Sequence, residues 1–291
     1  MSRVLVTGAT GFTGSAVVPL LLAAGYCVRC FVRPTSNRHW LPETSVEWAV
    51  GDIGDRGSLV SAMDNCDMLV NVASLGFGHA PAIVDAARAT MIQRAVFVST
   101  TAVLTKLNVR SKAVRLAAER LVSESGIAFT ILRPTMIYGS RRDRNISRLV
   151  RFLKTSPLVP VVGSGRYHQQ PVYVADVAQA LVSCLNAPIT VGRTYTVAGP
   201  EPLTYNQLID TIASAIKRRV IKVRLPMRPV LGALFVTESI GGRLPIRKEQ
   251  VERLQEEKIF DISPARHDFG YSPIAFDEGV RRLVKEMAIR V

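Results

Sequence analysis

The 291-residue chain has no uninterrupted apolar run of about 18 residues, so no transmembrane helix is expected. Cysteine is scarce, with four residues at 27, 30, 66 and 184. Cys27 and Cys30 have the spacing of a metal or redox pair, but they lie within YCVRCFV, which reads as a strand. Side chains alternate faces along a strand, so residues three apart point to opposite sides. Both are therefore read as buried strand cysteines, and no metal is expected. Acidic residues are also in deficit: 23 Asp and Glu face 37 Lys and Arg, for a formal charge of +14. A field of that sign favours phosphorylated ligands, nucleic acid or an acidic membrane surface. The basic residues cluster only locally, at RRDR (141–144) and KRR (217–219). No helix-turn-helix, zinc-finger or aromatic stacking pattern accompanies them, so nucleic acid is not expected. An anionic small molecule, such as a nucleotide sugar, is the more economical partner, while contact with an acidic membrane surface stays open. The start, MSRVLVTGATG, enters a strand at once and leaves no room for a leader, so a cytoplasmic location is expected.

What is present is ordinary globular composition, 48% hydrophobic and 21% charged. The length suffices for a large α/β domain with a smaller cap. RVLVTGATG is a short apolar run ending in glycines, and SAVVPLLLAAG reads as a helix closed by Gly25. YCVRCFVR, VEWAVGD, DMLVNVAS, RAVFVST and AFTILRP follow as strands. Between them lie helical stretches over GSLVSAMDNC, which Asp55 can cap, over APAIVDAARAT, and over VRSKAVRLAAERL. Strands that are apolar nearly throughout, alternating with helices, predict a doubly wound α/β fold with a parallel sheet covered on both faces. Residues 1–140 are assigned to this core, with 171–200 adding to the sheet through TYTVAG. Residues 141–170 and 201–291 are assigned to a smaller lobe over the C-terminal edge of the sheet, where open sheets bind ligands. That lobe contains a basic helix, ISRLVRFLKT, a further helix over TYNQLIDTIASAIKRR, and an apolar stretch, PVLGALFVTESIGG, read as lobe core.

The loop TGATGFTG places Gly8, Gly11 and Gly14 between the first strand and the first helix. A phosphate can approach where the backbone lacks Cβ, and the N–H groups of the helix N-terminus then bind it. In that context the glycine spacing is a specific signal.

With the later motifs GDIGD, VNVAS, VSTTAV, RPTMIYG, PVYVADVA and FDISPARHDFGYSP, the chain resembles an extended or atypical short-chain dehydrogenase/reductase of the NAD-dependent epimerase/dehydratase family. It is similar also to the branch that holds the accessory subunit of respiratory complex I. The resemblance covers most of the chain. It implies a dinucleotide held by Gly8, Thr10, Gly11, Phe12, Thr13 and Gly14, with Asp52 and Ile53 beside adenine. Ala73, Ser74, Ser99 and Pro134 would lie along the cofactor, and Tyr138 and Tyr173 on the substrate side. It also implies a homodimer face that includes the 110–125 helix. At the end of the second strand, where an acid usually binds the ribose, Val32 stands and Arg33 follows. A planar guanidinium suits a 2′-phosphate, so NADP is expected over NAD.

The family's chemistry uses a Ser or Thr and a Tyr-x-x-x-Lys pair on one helix face, the Lys lowering the Tyr pKa. Thr100 matches the hydroxyl. If Glu119 anchors the register, Ser111 takes the Tyr position and Arg115 the Lys position; in the alternative register these are Asn108 and Lys112. Neither register supplies a tyrosine. Arginine binds ribose but does not donate a proton. Lys112 and His79, the latter in the loop GFGHAP and expected near the nicotinamide, are the compensating candidates. Two readings follow: an NADP-dependent oxidoreductase or epimerase-like enzyme with a non-standard acid, and a catalytically silent cofactor-binding regulatory or accessory protein.

Overall fold

A computed structural model describes residues 2–41, 45–107, 110–229 and 256–288. Asn108 and most of the PVLGALFVTESIGG stretch lie outside the described residues. In chain order the elements are β1 (Arg3–Thr7), α1 (Gly14–Ala23), β2 (Cys27–Val32), β3 (Glu47–Val50), α2 (Arg56–Met63), β4 (Met68–Asn71), α3 (Ala80–Ala89), β5 (Arg94–Val98), α4 (Arg110–Ser123) and β6 (Phe129–Pro134). They continue with β7 (Ile137–Tyr138), α5 (Ile146–Thr155), β8 (Leu158–Val162), β9 (His168–Gln169), β10 (Val172–Tyr173), α6 (Val174–Asn186), β11 (Arg193–Val197), β12 (Leu203–Thr204), α7 (Tyr205–Ala215) and β13 (Ile221–Leu225). The last two described helices are α8 (Ser263–Phe269) and α9 (Phe276–Ala288).

Seven strands form one sheet in the order β11-β6-β5-β4-β1-β2-β3, and every pairing is parallel. The order reverses at β1, the topological switch at which a doubly wound sheet opens a ligand crevice. Leu5, Leu69, Phe97 and Ile131 share one face and are buried with Leu59 and Met63 of α2, Ile83 and Val84 of α3, and Val122 of α4. Their strand neighbours Val4, Val6, Val70 and Val96 are equally buried on the opposite face, which α1 and α6 cover. Each such side chain contributes about 1.5–3 kcal/mol on burial. Local signals agree with this packing. Asp55 caps α2 by accepting from Gly57 N and Ser58 N, and Gly25, at φ +84°, ends the turn after α1.

The chain divides into two compact units. The first comprises 1–137, 172–198 and 261–273 and holds the seven-stranded sheet. The second comprises 138–171, 199–260 and 274–291. The core boundaries expected at 140, 171 and 200 thus fall at 137, 172 and 198, and the assignment of all of 201–291 to the lobe needs correction at 261–273. In that segment Asp268 pairs with Arg193 at 2.7 Å and accepts from Tyr195 Oη at 2.6 Å, while Tyr271 Oη donates to Ala198 O at 2.8 Å. These bonds fix α8 to the edge strand β11. Within the second unit, α5, α7 and α9 accompany the small pairs β12-β9 and β13-β8.

Candidate functional site

The glycine loop after β1 is closed by its own backbone. Gly11 N donates to Gly8 O at 2.9 Å. A Cβ on Gly14 would fall 2.1 Å from Gly8 O and 2.8 Å from Ala9 Cα, so no side chain fits there. Gly8 has φ +67°, and a Cβ on it would lie 2.8 Å from Ala73 N, so the ends of β1 and β4 meet backbone to backbone. At α1 the N-cap Thr13 makes no capping side-chain bond, and no acid occupies the first turn. Ser15 N and Ala16 N already donate to Gly11 O and Thr13 O at 3.0 Å, so what the helix presents next to the loop is the positive end of its dipole at Gly14. Gly11 is exposed, and Thr10, Phe12 and Thr13 are half-buried around it. A cradle that a Cβ would fill, at a helix N-terminus, fits a dinucleotide pyrophosphate.

Two residues unmarked in the sequence reading hold this arrangement. Thr7 and Asn71 are fully buried at the ends of β1 and β4. Thr7 Oγ1 donates to Asn71 Oδ1 at 2.7 Å, and Asn71 Nδ2 donates to Ala73 O at 3.0 Å. The signal was available: a polar residue ending an otherwise apolar buried strand must find a partner.

Around the sheet edge, Val32 is buried and Arg33 is exposed. A tight turn follows, in which Arg33 N donates to Ser36 Oγ at 3.1 Å and Ser36 N donates to Arg33 O at 3.0 Å. Asp52 Oδ1 accepts from Gly54 N at 2.8 Å, and Ile53 packs against the core. His79, expected near the nicotinamide, lies close to this loop. A Cβ on Gly54 would sit 3.3 Å from His79 Nδ1 and 3.3 Å from Asp52 Oδ1, which places the ring beside the 52–54 loop. Ser74 caps the short turn Leu75–Phe77, Gly78 follows at φ +83°, and the turn delivers His79 to the start of α3, on the side of β3.

The expected catalytic residues have mixed placements. Ser99 is buried and donates its hydroxyl to Glu119 of α4. Glu119, itself 6% exposed, also takes a two-point bond from Arg133, with Nη2 to Oε2 at 2.5 Å and Nε to Oε1 at 3.1 Å. A buried carboxylate is tolerated when it is paired and hydrogen-bonded in this way. Thr100 is half-buried and accepts from Ala102 N at 3.2 Å, capping the turn Thr101–Leu104. Lys112 Nζ donates to Thr105 O at 2.5 Å, tying α4 back to the loop after β5. Arg115 Nη1 donates to Ser111 O at 3.3 Å, and its guanidinium packs so closely on the turn after β4 that a Cβ on Gly76 would lie 2.9 Å from Arg115 Cζ. Ser111 is half-buried on the same helix, and Pro134 is buried at the end of β6.

Tyr138, expected on the substrate side, is fully buried. Its ring lies 5.1 Å from that of Phe276 and its hydroxyl donates to Phe276 O at 3.4 Å. Gly279 gives it room, since a Cβ there would fall 2.0 Å from Tyr138 Oη. Tyr173 is half-buried at the N-cap of α6. Cys27 is half-buried and Cys30 buried in β2, and burial pushes the Cys30 thiol up to about 12. Among the described residues no group of three or more His, Cys, Asp or Glu is placed to hold a metal, and no helix is long and apolar enough to cross a membrane.

A switch-point crevice with a glycine cradle and an open helix N-terminus defines a nucleotide-cofactor binding protein. A family model described as NAD(P)H-binding matches residues 8–188, more than half of the chain. The chain belongs to this NAD(P)H-binding family, and the resemblance to the extended short-chain dehydrogenase/reductases is borne out. Its curated relatives include a 2-alkyl-3-oxoalkanoate reductase of Shewanella oneidensis, 26% identical over 97% of this chain and 86% of the relative. They also include the mouse NADH dehydrogenase [ubiquinone] 1 alpha subcomplex subunit 9, 28% identical over 92% of this chain and 76% of the relative. Among solved structures, the NAD complex of Thermus thermophilus UDP-glucose 4-epimerase superposes with a TM-score of 0.76 at 22% identity, covering 99% of this chain and 100% of the other. That likeness shows the fold.

Proposed function

We propose that the chain is an NADP-dependent oxidoreductase acting on an anionic small molecule that bears a carbonyl or its alcohol. The observation that carries the reading is the cradle of Gly8, Gly11 and Gly14 at an uncapped, acid-free helix start. Relatives named as reductases and as a 3-beta-hydroxysteroid dehydrogenase support redox chemistry over binding alone. When bound, the nicotinamide supplies or accepts the hydride. The chain's own groups do the rest. The glycine loop and the positive end of α1 take the pyrophosphate, and Asp52 and Ile53 border the adenine. Arg33, exposed after the buried Val32, offers its fork to the 2′-phosphate. Arg115 supplies the fixed positive charge that the family places on a lysine, but holds its proton at any working pH. Lys112 is the proton donor in this reading. Its ammonium carries three N–H groups, and the bond to Thr105 O uses one. The positive net charge supports an anionic substrate.

Calorimetry with NADPH and NADH, followed by turnover assays on 3-oxoacyl compounds and nucleotide sugars, tests the proposal. NADPH is expected to bind more tightly than NADH. Arg33→Ala should weaken NADPH by roughly 10- to 100-fold, the worth of a charge-assisted contact, and leave NADH nearly unchanged. Lys112→Ala should abolish turnover while cofactor binding persists. Equal losses for both dinucleotides in Arg33→Ala would refute the NADP assignment.

One observation favours a second reading, a catalytically silent cofactor-binding regulator. Ser99, Thr100, Lys112 and Arg115 are all engaged by Glu119 or by backbone groups. Tight NADPH binding with no oxidation across the substrate panel would select it.

A further inference from the structure

In the second unit, the small parallel sheet β13-β8 reverses the usual rule for a half-exposed sheet, on which polar residues face water. Along β8, Val159 and Val161 are buried while Leu158 is 51% exposed and Pro160 is exposed. Along β13, Ile221 is 64% and Val223 40% exposed. The register pairs Ile221 with Leu158 and Val223 with Pro160, so four apolar side chains form two cross-strand pairs on one open face. Phe152, near the end of α5, is a further apolar side chain of this unit at 41% exposure.

Exposed cations flank this face. Arg148, Arg151 and Lys154 belong to α5, and Lys217, Arg218 and Arg219 precede β13. The two groups are contiguous, because Arg218 Nη1 donates to Lys154 O and Ile221 N donates to Pro157 O at 2.8 Å. No aspartate or glutamate occurs anywhere in 144–175 or 211–229. Lys222, on the strand itself, is matched by Asp210 at 2.7 Å.

We propose that this face of the second unit docks on an anionic lipid bilayer, its apolar pairs entering the headgroup boundary and its cations contacting lipid phosphates. Charge of one sign selects an anionic partner. Open aliphatic pairs select one with an apolar interior, which a nucleic-acid backbone lacks. A juxtamembrane cation strengthens binding by roughly fivefold.

Co-sedimentation of the full chain with phosphatidylcholine vesicles, with and without phosphatidylglycerol, tests this at low and high salt. Binding is expected only with phosphatidylglycerol. Arg218→Gln and Arg219→Gln should each reduce it by roughly fivefold. Ile221→Ser and Leu158→Ser should also reduce it with the charge unchanged, and circular dichroism with thermal unfolding reports that each variant is folded. Absence of binding to either vesicle overturns the proposal, as does binding that neither variant pair alters. Duplex DNA binding that ignores Ile221→Ser would assign the cations to nucleic acid and overturn it. Loss of a dimer in Ile221→Ser would assign the apolar pairs to a second copy, with the same result.

Discussion

Arg94 gives the sharpest test of the packing argument. It lies on β5 at 7% exposure, and among the described residues no carboxylate pairs with it. Its guanidinium donates to Ala95 O at 3.1 Å, to Ala128 O and Cys184 O at 2.8 Å, and to the hydroxyls of Thr130 and Thr190. Burial lowers its pKa from the ordinary arginine value. Several of these acceptors have a second donor. Ala128 O accepts from Ala95 N at 3.0 Å, Cys184 O accepts from Thr190 Oγ1 at 3.0 Å, and Thr130 Oγ1 can donate to Thr190 O at 2.6 Å. Removing the charge thus orphans little. Arg94→Met forfeits the charge-assisted bonds to these acceptors, recovers the desolvation penalty of the buried guanidinium and keeps most of the volume. The two terms oppose each other and no cavity opens, so Met should cost less than Ala. Arg94→Ala keeps the recovery but opens a cavity, and should cost about 3–5 kcal/mol. Arg94→Lys places a more strongly hydrated charge there with fewer donors and should fall below Met. Urea unfolding followed by circular dichroism ranks the three. Met unfolding as readily as Ala, or Lys matching the parent, would refute the reasoning, because the charge itself would then hold the fold.

Gly14→Ala should weaken NADPH at least roughly tenfold, because its Cβ would meet Gly8 O at 2.1 Å and must displace the cradle; fluorescence titration measures this. Gly279→Ala should destabilise by about 1–3 kcal/mol, and adding Tyr138→Phe should restore part of the loss, since the hydroxyl is the atom a Cβ would strike at 2.0 Å; a double-mutant cycle reads the coupling. Burial, with the bond to Asp268, pushes the Tyr195 phenol up to about 12. That contribution is complete below the ordinary tyrosine value near 10 and is lost as pH rises toward 12. Denaturation at pH 9 and pH 11 should therefore show a shallower loss for Tyr195→Phe than for the parent. Asp268, held below the usual carboxylate range by the Tyr195 hydroxyl and by His267, acts in the opposite direction, and its contribution is lost only in acid.

The sheet was legible because its evidence is local. Apolar strands, glycine punctuation and the Asp55 cap each act within a few residues, and the cradle occupies one loop. The candidate site was less so. Ser99 reads as a cofactor contact, and nothing near it in sequence shows that its hydroxyl bonds Glu119, on a helix that begins well after it. His79 reads as a nicotinamide neighbour, and its place beside Gly54 depends on the turn at Gly78. Arg94 opens a strand that was legible, but the joint approach of Thr130, Cys184 and Thr190 that satisfies it once buried was not. The FDISPARHDFGYSP segment read as lobe because it follows the lobe in sequence, whereas Asp268 and Tyr271 draw it to β11. In each case the deciding partner is distant in the chain, and no spacing rule reaches it.

Gly76 and Arg115 touch so closely that they amount to a single position split between two places in the chain. A methyl group at 76 would occupy the space of the guanidinium carbon. The two sites are therefore expected to change together across relatives: a chain with alanine or anything larger at the first needs a shorter side chain at the second. Where position 115 holds a side chain without the guanidinium, the turn after β4 regains its freedom to carry a side chain.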